Sequence, residues 1–234
     1  MTSQQRTGAR NSEDPLEEVI DGLLGKAAQS TKRLTLLADH LKSVIADAGL
    51  PGAQGGSSGE LTVPGLARRK DWDVAYEFAG KFRLLISMKS MLKNVAGTVP
   101  NRLDDLMGEI ANVQQLAPEI VVGYVILFDV AEDSIRREDK RYWSEFFKDA
   151  LANITIRKAP LWNQGLLEGS WFIRFDSRKP RGERLIDRMQ VARDRDTFVL
   201  SLLWELKRRE PAIQFTKQLP PEPSVTLPRG AVRQ

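Results

Sequence analysis

Apolar and polar positions recur with two periods along this chain, and together they predict a mixed α/β fold with a sheet flanked by helices. Asp14-Pro15 offers an N-cap and a proline in the first turn. From there Leu16, Ile20, Leu23, Ala27, Leu34, Leu37, Leu41, Val44 and Ala48 recur mostly at spacings of three and four. That spacing predicts a helical region over 14–48, as one long helix or as two, because Gly22 and Gly25 weaken its first half. Its apolar face suits packing on the core or on a second subunit. Trp72–Phe78 and Lys81–Ser90 then read as two strands joined through Ala79-Gly80, a hairpin. A helix follows from about Thr98 to Gln115, with Leu103, Leu106, Met107, Ile110 and Val113 as its apolar face. Ile120–Asp129 is a continuous apolar run rich in β-branched residues, the pattern of a strand buried on both faces. The strand–helix–strand order implies a right-handed crossover into a mixed sheet.

The second half continues the alternation. Lys140–Leu151 is predicted helical with Trp143, Phe146, Phe147 and Leu151 inward, and Trp171–Phe175 is a further strand with Arg174 on the face opposite Ile173. Gly182–Glu210 reads as helical in two pieces, with Asp194–Asp196 between them and Asp196 capping the second. Segments without a period complete the map. Residues 1–13 read as a disordered tail, and residues 211–234, rich in proline, as extended or disordered. Gly49–Gly59 is a Gly/Ser-rich loop, too flexible for a strand. It lacks the Lys-Ser or Lys-Thr of a phosphate loop, but it leads straight into the hairpin and could wrap a substrate. The expectation is one domain over 14–210, with 14–48 helical, 60–130 as its catalytic core and 131–210 supplying the remaining sheet and helices.

Composition narrows the chemistry. The 234 residues contain no cysteine, which excludes a disulfide scaffold, cysteine catalysis and thiolate zinc sites and fits a reducing cytoplasm. The single histidine, His40, leaves no His-rich metal site and lies within the first helical pattern, where a packing role is expected. Residues 1–14 lack the apolar segment of a signal peptide, and the longest apolar runs are strand-length, so the expected setting is cytoplasmic with no membrane partner. A formal net charge of +4 does not by itself argue for nucleic acid. The basic residues are clustered, however, at Arg68-Arg69-Lys70, Arg136-Arg137, Arg178-Lys179-Pro180-Arg181 and Lys207-Arg208-Arg209. The first three clusters fall in or near loops flanking the predicted sheet, where a phosphate backbone could meet them.

The hairpin concentrates the candidate chemistry. In an antiparallel pair the start of one strand lies beside the end of the other, so Asp73 neighbours Ser87-Met88-Lys89. A carboxylate, a hydroxyl and an ammonium then share one sheet edge, and the next helix brings more acids. At 100° per residue, Asp104 and Glu109 flank the predicted apolar stripe on opposite sides while Asp105 points further out, which favours Asp104 or Glu109 as the acid that reaches the strand. Glu77 shares the face of Asp73 but lies about 13 Å along the strand. Phosphodiester hydrolysis calls for a hydrated divalent cation on oxygen ligands. Magnesium needs one or two carboxylates besides the substrate phosphate, and a nearby lysine can orient water and offset developing charge. Asp73, a helix acid, the Met88 backbone carbonyl and Lys89 would supply that set. The spacing alone suits a surface hairpin with ordinary charged ends better.

The surrounding residues shift that balance. Asp73…Ser87-Met88-Lys89 resembles a variant of the PD-(D/E)xK nuclease signature. Pro64-Gly65, Lys70-Asp71-Trp72-Asp73-Val74, Lys89-Ser90 and Asn101-Arg102-Leu103-Asp104-Asp105 resemble the XhoI-like type II restriction endonucleases. That family has a Pro-Gly, a Trp-Asp opening a strand, a Glu-Phe-Lys-Ser ending the next and an Asn-Arg-x-Glu-Glu helix start. Gly123-Tyr124-Val125-Ile126-Leu127 is similar to its following strand, so the resemblance spans residues 60–130. It implies a magnesium-dependent endonuclease, with manganese able to substitute, on a mixed αβα core. It also implies double-stranded DNA as substrate, a homodimer on a palindromic site, and no small-molecule cofactor. By position Asp73 would be the central metal ligand and Lys89 the catalytic lysine, and Asp104 and Asp105 sit at the two helix glutamates. Arg68, Arg69, Lys70, Arg102, Arg178, Lys179 and Arg181 would be the DNA contacts. The departure is Ser87, where the family has glutamate. Either Asp104 or Glu109 supplies the missing acid from the helix, or the protein binds DNA, as a regulatory subunit of a defence assembly, without cutting it. Retention of Asp73 and Lys89 favours the first.

Overall fold

The computed structural model describes residues 14–26, 32–157 and 166–223. In chain order its helices are α1 (Pro15–Leu24), α2 (Thr35–Asp47), α3 (Val95–Gln114), α4 (Trp143–Ile154) and α5 (Arg188–Arg209). Its strands are β1 (Gln54–Gly55), β2 (Leu61–Val63), β3 (Lys70–Trp72), β4 (Val74–Phe78), β5 (Lys81–Met91), β6 (Val121–Asp129) and β7 (Gly169–Phe175). Five strands form a mixed sheet in the order β1-β4-β5-β6-β7, and β2 and β3 form a separate antiparallel ribbon. The apolar run of β6 sits at an inner position of the large sheet and is buried throughout. Antiparallel pairing joins β1 to β4 and β4 to β5, while β5, β6 and β7 run parallel.

Two cores lie on the two faces of this sheet. Leu84, Ile86, Val125, Trp171 and Phe175 pack against α1, α2 and α5. Leu85, Val122, Ile126 and Phe128 pack against α3 and α4. Successive residues of β5 therefore serve opposite cores, so Ser87 and Lys89, in step with Leu85, face the α3 side. No described helix is long and apolar enough to cross a membrane.

The structure settles one open alternative and changes several expectations. The helical region at the start is two helices, with the Asp14 carboxylate accepting from the Leu16 N–H at 3.0 Å; Ala27 lies outside the described residues. The predicted first strand is interrupted at Asp73, which separates β3 from β4. The Gly-rich loop is more ordered than its composition suggests. Gln54-Gly55 pairs with β4, and the Asp39 carboxylate accepts from the backbone N–H and hydroxyl of Ser57 at 3.1 Å. A side chain at Gly55, with φ at 125°, would meet the Asp73 carbonyl oxygen at 2.0 Å, so only glycine lets β1 close on β4 there.

Near the end of the chain, Gly182–Asp187 is not helical, and α5 is a single helix through Asp194–Asp196. Gln190 donates to Asp194 at 2.6 Å one turn along the helix surface, so the acids decorate an unbroken helix. Residues 1–13 and 224–234 of the two predicted tails lie outside the described residues. Residues 211–223 carry no helix or strand, yet Ile213 and Leu219 are buried in the core on the α5 side.

Candidate active site

The hairpin sets the site. Phe78 pairs with Lys81 across the two-residue Ala79-Gly80 loop, and the register runs back to Val74 opposite Ile86. Asp73, one residue before β4, thus meets the carboxyl-terminal part of β5. Its carboxylate accepts the Met88 N–H at 2.7 Å. Burial pushes the Asp73 carboxyl up to about 6, against the opposing pull of the Met88 N–H and the Lys89 and Lys70 charges, while Glu60 adds to the rise. Ser87 is buried beside Tyr124 across the β5–β6 pair, and Lys89 lies one step further along the same face, level with Ile126. The carboxylate, hydroxyl and ammonium therefore lie together at one end of the β4–β5 pair, which is internal to the sheet and not at the sheet edge expected.

Helix α3 presents a different face from the one its pattern suggested. It begins at Val95, and its buried positions are Val95, Val99, Leu106, Glu109, Ile110 and Val113, while Met107 is 42% exposed. The stripe is rotated toward Glu109. Asp104 then lies roughly 160° around the helix from Leu106 and is exposed, so it faces away from the sheet. Asp105, expected to point further out, instead borders the stripe and pairs with Arg102 at 3.4 Å. Glu109 is 8% exposed and forms an ion pair with Lys70 on β3. Glu77 is exposed near the turn of the hairpin, well away from Asp73 along β4.

On the α3 side of the sheet, two buried side-chain oxygens have no hydrogen-bond partner. One is Glu109 Oε2 and the other is the Tyr124 hydroxyl, on a side chain 1% exposed. Burial raises the Tyr124 pKa, opposed by Arg102 and reinforced by Glu109, Asp105 and Asp73, which places these groups within electrostatic reach of one hydroxyl. Tyr124 was hidden in a run that reads as pure core. Its only sequence signal is one polar atom inside an otherwise apolar strand.

A cleft of about 530 Å³ opens on the other side of Asp73, lined by Lys32, Thr35, Ser57 and Glu60 among others. The Gly-rich loop thus borders the site. The Pro64-Gly65 turn docks on α3. Leu66 donates its N–H to the Asn112 carbonyl at 2.8 Å, Ala67 donates to the Asn112 side chain at 2.8 Å, and a Cβ at Gly65 would meet Asn112 Nδ2 at 2.0 Å. This docking ties the β2–β3 ribbon to α3 and so carries Lys70 to Glu109.

The basic residues divide. Arg68 and Arg69 are exposed on the loop docked against Asn112, and Lys179 is exposed after β7. Arg178 pairs with Asp176 at 3.0 Å, and Arg181 and Arg184 both pair with Asp21 on α1. Arg136 pairs with Asp139 at 3.0 Å and lies over the Phe146 ring at 3.6 Å. His40 packs beside Trp171, as the expected packing role has it, and burial, with the Arg195 charge, pushes its pKa down.

The donor set suits a hard divalent cation in kind. Among the described residues no three acidic or histidine side chains converge to hold a metal alone. Magnesium does not need three, since it keeps waters and takes substrate oxygens. Asp73 and Glu109 are oxygen donors, and the orphaned Glu109 Oε2 is the kind of atom a cation or its water would satisfy. Comparison with family models, characterised proteins and solved structures gives no match to this chain.

Proposed function

We propose that this chain is a magnesium-dependent DNA endonuclease of the type II restriction class, on a restriction-endonuclease-like αβα core. The observation that carries the reading is the Asp73–Met88–Lys89 arrangement: a carboxylate oriented by the Met88 N–H beside a lysine charge at the end of β5. Asp73 and Glu109 would hold the cation, which supplies Lewis acidity toward a phosphoryl oxygen and lowers the pKa of water. The Met88 N–H fixes the rotamer of Asp73, so that the carboxylate need not reorganise. Lys89 holds the attacking water and offsets charge developing on the phosphate. Glu109 takes the place left by Ser87. Arg68, Arg69 and Lys179 bind the phosphate backbone, and two copies related by a two-fold axis match a palindromic site.

A second reading has its own support. Glu109 Oε1 is occupied by Lys70, and Ser87 provides no charge, which fits a weakened site that binds DNA without cutting it. Incubating unmethylated phage and plasmid DNA with magnesium separates the two. Discrete fragments that disappear with Asp73→Ala and with Lys89→Ala are the expected result. Intact DNA under magnesium and manganese, with salt-sensitive binding retained, would select the second reading.

A further inference from the structure

Lys70 occupies one oxygen of Glu109, a carboxylate that the proposed endonuclease reading assigns to the cation. Its ammonium bonds Glu109, its charge also acts on Asp73, and its side chain is 22% exposed. The pair leaves Glu109 Oε2 and the Tyr124 hydroxyl buried and unpartnered beside it. A structural ion pair this well shielded would ordinarily satisfy the carboxylate on both oxygens, because an unpaired buried oxygen is costly. Here one oxygen is taken by an ammonium and the other is left open on a helix face that also carries Arg102 and Asp105.

We infer that Lys70 is a positioning residue that occupies the cation position between Asp73 and Glu109 until a divalent ion displaces it. The inference rests on the metal-dependent reading above and adds a device to it. In the resting site the Lys70 ammonium compensates Glu109, and its charge also acts on Asp73. A dication compensates both carboxylates, so the ammonium is released. Lys70 closes the Arg68-Arg69-Lys70 run, and both arginines are exposed, so the released ammonium lies on the surface that meets the phosphate backbone. Metal entry and contact with the DNA strand are then coupled through one side chain.

Manganese binding to the full chain without DNA tests this directly, read by calorimetry or by loss of the free-ion paramagnetic signal. Lys70→Met removes the competing charge, so it should bind manganese roughly tenfold tighter than the wild type. Lys70→Gln, which keeps a donor for Glu109 but no charge, should shift in the same direction and guards against misfolding of the methionine variant. Thermal melting adds a second readout: Lys70→Met should melt lower than wild type without metal, as loss of any shielded ion pair would, but manganese should raise its melting point more than it raises that of the wild type, a difference a purely structural lysine would not produce. Equal or weaker manganese binding by both Lys70 variants, with binding still lost in Asp73→Asn and Glu109→Gln, would overturn the role of Lys70 and leave the metal site standing. Manganese binding indifferent to Asp73→Asn and Glu109→Gln would instead overturn the metal site on which the endonuclease reading depends.

Discussion

At the scale of single residues, Asp73 carries a cost in stability. Its carboxyl titrates near 6 in the fold, because burial outweighs the Met88 N–H and two lysine charges, against about 4 in an unfolded chain. Between those values the folded protein holds a proton that the unfolded chain has released. Stability from this group therefore falls as pH rises from about 4 to about 6, and the penalty persists above that window. Asp73→Asn should raise stability by on the order of 2 kcal/mol at pH 8, with the gain vanishing below about pH 4. Denaturant titrations of both proteins at the two pH values check it; equal stability at pH 8 would mean that Asp73 is not desolvated. That Asp73 lies near Ser87–Lys89 was legible in the sequence because a short-turn antiparallel hairpin brings the two strand ends together, and the one-residue register shift at Tyr76/Glu77 does not separate them. Asp104 was misplaced because Met107 was taken as core. One exposed methionine rotates the inferred stripe, and the rotation exchanges Asp104 for Asp105. Lys70 as the partner of Glu109 was not legible at all, since that contact depends on the Gly65 turn docking against Asn112, a long-range packing event with no periodic signature.

At the scale of elements, the hairpin joins β4 to β5 and carries the site at its open end, yet it turns through a residue poorly suited to the job. Ala79 has φ at 51° and Gly80 at 73°, the paired left-handed geometry of a tight hairpin turn. Alanine at a left-handed position costs about 1 kcal/mol that asparagine largely avoids. Ala79→Asn should therefore raise the unfolding midpoint by about 1 kcal/mol in free energy and leave manganese affinity unchanged, because the turn lies at the far end of the hairpin from Asp73. Matched chemical denaturation and metal titrations check both halves. The elements most legible in sequence were those with a strong period and a clear boundary: β6, α4 and the Asp14-Pro15 start of α1. Those misread share a physical cause, which is that local composition was overridden from elsewhere in the fold. The strand β1 forms in a glycine-rich segment because Gly55 can approach the Asp73 carbonyl. The helix α5 continues through Asp194–Asp196 because those acids lie on its solvent face and bond along it.

At the scale of the whole molecule, the candidate site and a buried charge network lie at opposite ends of the sheet. Asp73 and Lys89 lie toward the carboxyl end of β5, while the amino-terminal ends of β6 and β7 are held by a buried charge network. Glu168, fully buried before β7, accepts the Val122 N–H at 2.6 Å and pairs with Arg157 at 2.6 Å and Arg209 at 2.8 Å. Arg157 and Arg209 also donate to the Ile120 carbonyl, each at 3.1 Å, and Arg209 reaches Glu205 on its own helix at 3.3 Å. Burial keeps the Glu168 carboxyl above the ordinary carboxylate range even with two guanidinium groups beside it. One side chain thus ties α5, the segment after α4 and the entry to β6 together, from sequence positions with no shared motif. Glu168→Gln would leave buried Arg157 without its counterion and Arg209 with Glu205 alone, and breaking a buried pair typically costs about 3–5 kcal/mol. The expected result is a large drop in unfolding free energy, while manganese affinity measured on the fraction still folded stays at its wild-type value. Loss of manganese binding at a temperature where circular dichroism shows the variant fully folded would refute the separation, because the two ends of the sheet would then be coupled through the parallel strands.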